Sequence, residues 1–427
     1  MNPKAPSTVL TAETKPALVP KLRFPEFRGA EGWKSVTLQE ASTPVTERVG
    51  ARKLTPVSIS AGIGFVPQAE KFGRDISGNQ YQLYTLVSDG DFVYNKGNSL
   101  KFPQGCVYQL QGWGQVAAPN VFICFRFKDG YSNVFFQNCF EQNMHGKQLK
   151  KHITSGARSN GLLNISKENF FGVEIPTPSP AEQQKIAECL SSVDELMAAQ
   201  ARKVDALKTH KKGLMQQLFP REGETQPRLR FPEFQNAGEW EERSLGSFIE
   251  EFRGKSTIQD EYEVMTSARS GLVRQRDYYD NDRITERDNI GFNVIPPNYM
   301  TYRSRSDDRQ FYFNENNLGI TGIVSVYYPV FRVINGSNKF LIELLSAFSR
   351  VVGKYSVGTS QTVLSLNQLG RIRLPFPPTV KEQQRIASCL SSIDALITVE
   401  TQKLEALKTH KNGLMQQLFP VLNEVQG

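Results

Sequence analysis

An internal duplication limits the folds open to this chain more than any other feature of its sequence. The segment KLRFPEF from Lys21 returns as RLRFPEF from Arg228, and a tryptophan follows each copy, at Trp33 and Trp240. Two further blocks, EQQKIAECLSSVD and LKTHKKGLMQQLFP, return 200 residues later, and the second keeps 13 of its 14 positions. A period of this length predicts two copies of one domain type and argues against a solenoid of short repeats.

The duplication also predicts where the domains lie within the 427 residues. Each copy begins at an RFPEF segment and ends at a Phe-Pro pair, and the polar segment between the copies is typical of a linker. The predicted parts are a flexible tail over 1–20, a variable domain over 21–178, a long helix over 179–220, a linker over 221–227, a second variable domain over 228–378, a second long helix over 379–420 and a tail over 421–427.

The two copies have diverged unevenly. The variable domains share only short matches, such as 155–166 against 357–367, whereas the EQQ and LKTHK blocks are nearly unchanged. A packing role alone would let both parts change similarly. We therefore expect the unchanged segment to bind the same partner twice and each variable domain to bind a different target.

The unchanged segment is typical of a long coiled-coil helix. Ser179 supplies an N-cap, Pro180 the first helical position and Glu182 the acid of a capping box. A helix of 39 residues extends about 58 Å. Apolar residues recur at spacings of four and three, which predicts a seam. The predicted seam residues are Ile186, Leu190, Val193, Met197, Val204, Leu207, Leu214 and Leu218, and then Ile386, Leu390, Ile393, Ile397, Leu404, Leu407, Leu414 and Leu418.

Polar residues interrupt each seam at two places, Gln200 and Lys211 in the first copy and Glu400 and Lys411 in the second. An amphipathic helix lying on its own domain is the alternative interpretation, and the length and doubling of the pattern argue against it. The chain must traverse the linker and one whole variable domain between the two helices. We therefore expect the helices to pack as an antiparallel pair.

The variable domains are predicted to be mixed α/β. β-Branched or aromatic runs bounded by Gly, Pro and Asn indicate strands over 90–94, 120–125 and 324–328. Helices of moderate length fit 134–145 and 339–354. The expected fold class is therefore α/β (α+β), with two similar domains separated by the helix pair and related by a pseudo-two-fold tandem duplication.

Motifs of nucleotide-dependent and methyl-transferring enzymes are incomplete. Gly254-Lys255-Ser256 lacks the first glycine of a P-loop, and Gly62-Ile63-Gly64 lacks the third glycine of a dinucleotide fingerprint. Pro296-Pro297-Asn298-Tyr299 differs in spacing from the Asn/Asp-Pro-Pro-aromatic motif of amino-methyltransferases. His210 and His410 have no cysteine or carboxylate at ligand spacing. We predict a non-catalytic chain with no cofactor and no metal of its own.

Composition narrows the partners and the compartment. The formal charge of +8 favours a polyanionic partner such as nucleic acid. Five cysteines without a CxxC pair fit a reducing compartment. No run reaches the ~18 to 20 apolar residues of a membrane span, and the N-terminus is polar. The expectation is a cytoplasmic protein with no membrane partner.

Basic residues with amide and hydroxyl neighbours cluster at similar places in both variable domains. Lys and Arg can neutralise phosphates, and Arg, Asn and Gln can bind purine edges through two hydrogen bonds. A solvated face is the alternative interpretation of any single cluster. The candidate DNA-binding residues are Asn95, Lys96, Lys147, Lys150, Lys151, Arg158, Ser159 and Asn160 in the first copy, and Arg303, Arg305, Arg309, Lys354, Thr359, Ser360 and Gln361 in the second.

The whole arrangement resembles the specificity subunit of type I restriction-modification enzymes. The resemblance rests on the doubled block that begins EQQ(K/R)IAxxLSSxD and ends LKxxKxGLMQQLF, with looser matches at 93–96 and 358–361. It implies two target recognition domains, each reading one half of a split, asymmetric site in double-stranded DNA. It also implies that the helices space these domains and dock two methyltransferase subunits, through which restriction subunits join.

The same resemblance implies that S-adenosylmethionine, ATP and Mg are held by the partner subunits, in a bacterial or archaeal cytoplasm. Two other functions remain open from the sequence. One is a coiled-coil scaffold that binds only protein. The other is a DNA methyltransferase with its own recognition domain, which the incomplete methyltransferase motif argues against.

Overall fold

A computed structural model of the chain describes residues 18–97, 102–153, 163–278 and 288–420. The chain forms two compact units, and the boundaries between them fall inside the two long helices. Unit 1 comprises Met1–Ala199 and Leu404–Gly427, and unit 2 comprises Gln200–Lys403. Each unit therefore contains one variable domain, the first part of one long helix and the last part of the other.

Unit 1 has ten strands and five short helices among its described residues. The strands are β1 Lys34–Thr37, β2 Ser42–Pro44, β3 Thr55–Ser60, β4 Gly64–Pro67, β5 Thr85–Ser88, β6 Phe92–Asn95, β7 Cys106–Gln109, β8 Gln115–Ala118, β9 Ile123–Phe127 and β10 Glu174–Thr177. The helices are α1 Leu38–Ala41, α2 Gln68–Phe72, α3 Asn133–Glu141, α4 Met144–Leu149 and α5 Lys167–Phe171, and the long helix α6 Pro180–Leu218 begins here.

Unit 2 repeats this order with one extra strand pair. Its strands are β11 Glu241–Ser244, β12 Ile249–Phe252, β13 Glu263–Ala268, β14 Gly271–Arg274, β15 Asn293–Ile295, β16 Met300–Tyr302, β17 Arg305–Ser306, β18 Phe313–Glu315, β19 Gly322–Val324, β20 Val330–Val333, β21 Thr362–Val363 and β22 Arg373–Phe376. Its helices are α7 Gln275–Tyr278, α8 Asn338–Ala347, α9 Ser349–Lys354, α10 Leu366–Arg371 and the first part of the long helix α11 Val380–Leu418.

The two variable domains share one sheet topology although their sequences have diverged. In unit 1 an antiparallel sheet has the order β2-β9-β6-β7, and a mixed sheet has the order β4-β3-β8-β5 with β3 and β8 parallel. Unit 2 has the same orders, β12-β20-β16-β18 and β14-β13-β19-β15, with β13 and β19 parallel. The mixed α/β class and the duplication predicted from the sequence are therefore confirmed.

Aromatic side chains fill the core between the antiparallel sheet and the helices of each unit. In unit 1, Trp33 and Phe135 lie in one buried cluster with Phe419 from the end of α11. In unit 2, Trp240 and Phe340 lie in the equivalent cluster with the end of α6. Burial of each such side chain stabilises a unit by roughly 1.5–3 kcal/mol, so the ends of the long helices are part of the cores.

The long helices run antiparallel within each unit. In unit 2, Lys203 of α6 contacts Glu400 of α11, and Lys211, two turns later in α6, contacts Asp394, six residues earlier in α11. In unit 1, Asp194 near the start of α6 contacts Lys411 near the end of α11. Residue numbers rise in one helix as they fall in the other, as the sequence predicts.

The structure differs from the sequence-based expectation at three local points. The helices expected over 134–145 and 339–354 are each divided in two, because Asn143 adopts a left-handed conformation with φ 56° after α3 and the helix hydrogen bonding changes at Phe348 after α8. The strand expected over 324–328 ends at Val324 because the chain turns, with the Tyr328 N–H donating to the Ser325 carbonyl at 2.9 Å. The long helix begins at Pro180 and ends at Leu218, whereas the expected range is 179–220.

Candidate nucleic-acid interface

In unit 2 the structure brings together two loops that are about 55 residues apart in sequence. Arg305 in β17 lies opposite Val363 in β21, and the Leu364 N–H donates to the Ser304 carbonyl at 2.9 Å. Val357 and Val363 exchange backbone hydrogen bonds at 2.8 and 2.9 Å, so residues 358–362 form the tip of a short hairpin. The candidate residues around position 305 and those around position 360 therefore belong to one surface.

The backbone of this hairpin depends on a glycine. Gly358 has φ +117°, and a Cβ at this position would lie 2.4 Å from the Gln361 carbonyl oxygen. A side chain is excluded by this contact as well as by the left-handed φ. Thr359, Ser360 and Gln361 then project with exposed side chains at the tip. The amide of Gln361 lies 3.5 Å from the Asp307 carboxylate.

The cations beside the hairpin have different surroundings. Arg303 and Arg309 are exposed, whereas Arg305 is half-buried with its guanidinium carbon 3.9 Å from the centre of the Tyr327 ring. Arg309 has a left-handed φ of 58°. Lys354, at the end of α9, forms an ion pair with Glu222. The hairpin face thus carries exposed positive charge next to hydroxyl and amide groups, a composition suited to nucleic acid.

The carboxylate of Asp308 holds the loop beside the hairpin through hydrogen bonds and an ion pair. The Ser306 hydroxyl and the Gln310 N–H donate to the Asp308 carboxylate at 2.7 and 3.0 Å. These hydrogen bonds lower the pKa of Asp308 because they favour its ionised form. Arg269 contacts the same carboxylate at 3.4 Å and lies over the Tyr312 ring. Asp308 therefore fixes the loop and occupies one neighbouring cation.

In unit 1, strand β6 holds the same place in its sheet as β16 does in unit 2. It ends at Asn95, which is buried. Its side-chain NH₂ donates to the Ile59 carbonyl and its side-chain oxygen accepts from the Gly97 N–H, both at 2.8 Å. Lys96 follows, and its carbonyl accepts from the Leu163 N–H at 2.8 Å, as Ser304 does from Leu364. To contact a base, the Asn95 side chain would have to break both of these internal hydrogen bonds. Its role in binding DNA stays a prediction.

Three further lysines of unit 1 are exposed. Lys147 lies on α4, and Lys150 and Lys151 lie in the 3-10 turn that follows. The predicted base-reading segment with Arg158, Ser159 and Asn160 lies outside the described residues. Its two flanks are described, and the second flank returns beside Lys96 through Leu163. This connection matches the one that joins the hairpin of unit 2 to β16.

The predicted seam residues are buried or half-buried, and several at the ends of the helices lie in the cores of the variable domains. Buried members are Ile186, Leu190, Val193, Val204, Leu218, Ile386, Leu390, Ile393 and Leu418. Half-buried members are Met197, Leu207, Leu214, Ile397, Leu404, Leu407 and Leu414. At the predicted interruption in unit 2, Gln200 donates to the Glu400 carboxylate at 2.7 Å. Hydrogen bonds from Gln200 and from two lysines lower the pKa of Glu400 to about 2.

The second interruption of each seam joins three elements of one unit. Lys211 donates to Asp394 of α11 at 2.7 Å and to Glu343 of α8 at 2.8 Å. Burial alone would lower the pKa of Lys211, but these carboxylates raise it. Lys411 contacts Asp194 and, at 3.4 Å, Glu141 of α3. The same type of lysine therefore ties a variable domain to the long helices in both units.

The RFPEF segment has a function that the sequence analysis did not identify. In unit 1, Arg23 donates two hydrogen bonds to Glu182 at 2.8 and 2.7 Å, and the Trp33 indole N–H donates to the same carboxylate at 3.2 Å. The Leu22 N–H donates to the Gln417 carbonyl at the end of α11. Glu182 was expected to complete a capping box; its backbone N–H is capped by Ser179, but its carboxylate binds Arg23 and Trp33.

Unit 2 repeats this arrangement. Arg230 donates to Glu382 at 2.7 and 2.8 Å, Trp240 donates to it at 3.0 Å, and the Leu229 N–H donates to the Gln217 carbonyl. We call each Arg-Glu-Trp set a clamp. The sequence feature that could have predicted the clamp is the recurrence of an arginine, a tryptophan and a glutamate at equivalent positions of the two copies.

Other kinds of site are not found in the part of the chain that the structure describes. Over those ranges, no group of three or more His, Cys, Asp or Glu side chains could hold a metal ion. No helix within them is long and apolar enough to cross a membrane. Unit 2 has a cleft of about 740 Å³ beside Lys211, lined also by Arg269, Gln310 and Lys339.

Comparison with known proteins identifies the family. The model of the type I restriction modification DNA specificity domain matches residues 107–209 and 237–409. The chain is 26% identical over 308 residues to the type I restriction enzyme MjaVIII specificity subunit of Methanocaldococcus jannaschii, covering 64% of this chain and 67% of that protein.

Two solved structures share the fold. The S subunit of the type I restriction-modification system from M. genitalium matches with a TM-score of 0.55 at 14% identity, over 95% of this chain and 100% of that chain. A chain from a structural study of complex assembly and conformational transition in the type I R-M system matches with a TM-score of 0.53 at 15% identity, over 91% and 98%. Because the family model matches both variable regions and more than half of the sequence, this chain belongs to the type I restriction-modification DNA specificity family.

Proposed function

We propose that this chain is the DNA-recognition subunit of a type I restriction-modification complex, and that each variable domain reads one half of a bipartite, asymmetric site. The observation that carries the proposal is the hairpin of unit 2, whose exposed tip Thr359-Ser360-Gln361 leads into β21, the partner of β17. Exposed Arg303 and Arg309 lie before and after β17 in the sequence. A two-stranded β-ribbon fits the major groove of B-DNA. The exposed arginines would bind phosphates and the tip would face the base edges.

The shared topology supports separate reading by the two domains. Both place a polar segment at the end of the same central strand, after β6 in unit 1 and after β16 in unit 2. In both, a leucine N–H from a later part of the variable domain donates to a carbonyl of that segment, Leu163 to Lys96 and Leu364 to Ser304. The residues on these segments differ, Asn95-Lys96 against Arg303-Ser304. One scaffold with different side chains would give two different half-sites.

The long helices are proposed to dock two methyltransferase subunits. Exposed residues near the end of α6, including Lys208, Thr209 and His210, are identical in α11 although they are not needed for the cores. Identical exposed surfaces suit two copies of one partner. Those subunits would supply S-adenosylmethionine and the methyl transfer, and restriction subunits with ATP and Mg would join through them. This chain would then act in the cytoplasm on DNA without catalysing a reaction itself.

Methylation mapping of host DNA tests the proposal. With the chain and its methyltransferase subunits, a split motif should be methylated, and deletion of the gene should abolish it. Replacing Thr359, Ser360 and Gln361 by alanine should change or abolish only the half read by unit 2. The matched control replaces Gln235 and Asn236 by alanine, which are exposed in unit 2 outside the long helices and the hairpin, and should leave both half-sites unchanged.

The same mapping separates the other two functions. If the chain binds its partners but no motif depends on it, it is a protein-binding scaffold. If the purified chain alone transfers a labelled methyl group to DNA, it is itself a methyltransferase. Either result would refute the proposal.

A further inference from the structure

Arg305 and Tyr327 form a stacked pair on the hairpin face of unit 2. The guanidinium carbon of Arg305 lies 3.9 Å from the centre of the Tyr327 ring, which is the distance of direct contact. Tyr327 is 48% exposed and Arg305 is half-buried. A cation over an aromatic face is attracted by about 0.5–1 kcal/mol at an exposed site. The stack therefore limits the orientations of a side chain that is otherwise long and flexible.

The backbone on both sides of the stack is also fixed. Arg305 lies in β17, paired with Val363 across the hairpin. The Ser304 N–H and hydroxyl both donate to the Tyr327 carbonyl, at 3.2 and 2.6 Å. The ring and the guanidinium are thus carried by segments that are hydrogen-bonded to each other. Their contact is built into the fold rather than left to two mobile side chains.

Within the described residues, Arg305 differs from Lys354 and Arg269 in having no carboxylate partner. Lys354 is paired with Glu222, and Arg269 is paired with Asp308. Over the described part of the chain, the Arg305 side chain has a ring contact but neither a hydrogen bond nor an ion pair. Arg303 and Arg309 lie exposed on either side of it along the chain. Arg305 is therefore held in place while its N–H groups stay open to a ligand.

An oriented guanidinium with open donors suits one base edge in particular. Guanine presents two acceptors in the major groove, O6 and N7, and arginine is the side chain that most often binds both. Lysine cannot reproduce the planar, two-point contact. We propose that Arg305 reads a guanine in the half-site of unit 2 and that Tyr327 is the positioning residue that holds its guanidinium in the plane of that base. This inference rests on the proposed function.

The expected effect is on discrimination at one base position. A good two-point contact discriminates against the wrong base by roughly ten- to a hundredfold. In the full complex, Arg305→Lys should make the methylated motif degenerate at one guanine and leave every other position unchanged. Tyr327→Phe, which keeps the ring, should retain the wild-type motif, whereas Tyr327→Leu should make the same guanine degenerate. A purely structural role of Tyr327 would instead lower the yield of complex without changing the motif.

Binding to modified DNA gives a second measurement. Replacing that guanine by 7-deazaguanine removes the N7 acceptor, and this should weaken the wild-type complex severalfold but not the Arg305→Lys complex. The control is Arg303→Ala, which should weaken binding to all sequences alike and reduce its salt dependence. An unchanged motif in Arg305→Lys, or a loss of affinity with no degenerate position, would show that Arg305 binds phosphate and would overturn the inference. If the wild-type complex recognises no motif, the proposed function fails and this inference fails with it.

Discussion

Arg230 and Glu382 form a two-point ion pair across 152 residues of sequence, with N–O distances of 2.7 and 2.8 Å, and only 1% of the Glu382 side chain is exposed. Arg23 and Glu182 form the same pair in unit 1. The glutamate lies in the first turn of a long helix, where a negative charge also interacts favourably with the helix dipole. The arginine comes from the RFPEF segment, which in each unit also contacts the end of the other long helix. The clamp therefore joins the three repeated blocks of the sequence.

We expect loss of one clamp to destabilise one unit. Arg230→Met leaves the buried Glu382 carboxylate without its cation, which should cost roughly 3 kcal/mol of unfolding free energy in unit 2. Hydrogen exchange measured by mass spectrometry should show faster exchange in unit 2 than in unit 1. The control is Arg332→Met, because Arg332 and Glu250 form an exposed ion pair and its loss should have much less effect. Equal effects of the two substitutions would contradict a structural role for the clamp.

The duplication and its patterns made much of the fold predictable. The unchanged helices were predictable because the seam at Ile186–Leu218 returns with the same spacing, and two copies of one period are stronger than one. The antiparallel direction followed from connectivity alone. The mixed α/β class followed from runs of β-branched residues between Gly, Pro and Asn.

The candidate site was less predictable because its contacts are distant in sequence. No local pattern indicates that Arg305 stacks on Tyr327, or that Gly358 allows the hairpin that places Gln361 beside Asp307. Lys211 and Lys411 interrupt an apolar seam, so the pattern marks them only as breaks. Their carboxylate partners become visible when the variable domain is folded against the helices.

Buried His145 should make unit 1 sensitive to mild acid. Its ring is 2% exposed and lies edge-on to Tyr94 and Phe140, and burial lowers its pKa to about 4 from 6.5. Because the unfolded chain then binds a proton more tightly, stability is complete above pH 6.5 and falls as the pH drops toward 4. The loss attributable to this residue is roughly 3 kcal/mol.

His145→Phe should remove this part of the pH dependence while keeping an aromatic ring in the cluster. Denaturant unfolding at pH 7.5 and pH 5 measures the effect, and unit 2 serves as the internal control in hydrogen exchange. If the variant loses as much stability as the wild type between these values, His145 is not the group that titrates.

The Gln200–Glu400 hydrogen bond should require an amide in one copy and a carboxylate in the other, because the amide donates and the carboxylate accepts. Glu400 is 5% exposed, and its lowered pKa means that its contribution to stability is present above about pH 4.5 and is lost as the pH falls toward 2. Gln200→Glu would place two carboxylates together, so we expect Tm to fall by roughly 2–4 °C at pH 7. The fall should be smaller near pH 4, where one carboxyl can bind a proton. Gln402→Glu adds the same charge at an exposed position of α11 and should change Tm little at either pH.

Exchange of a variable domain should change one half-site only. Residues 28–178 pack on the long helices of unit 1 through a shared apolar core, and their polar contacts to these helices include those of Trp33, Glu141 and Gln142. A segment from a relative that supplies the same tryptophan and glutamate should fit the unchanged helices, because unit 2 does so with Trp240 and Glu343 in a different sequence. Methylation mapping should then show a new half-site beside the original one. The same exchange, with alanine in place of the donor's glutamate equivalent to Glu141, should give less folded protein with the same new half-site. A change in both halves would show that the two domains do not read DNA independently.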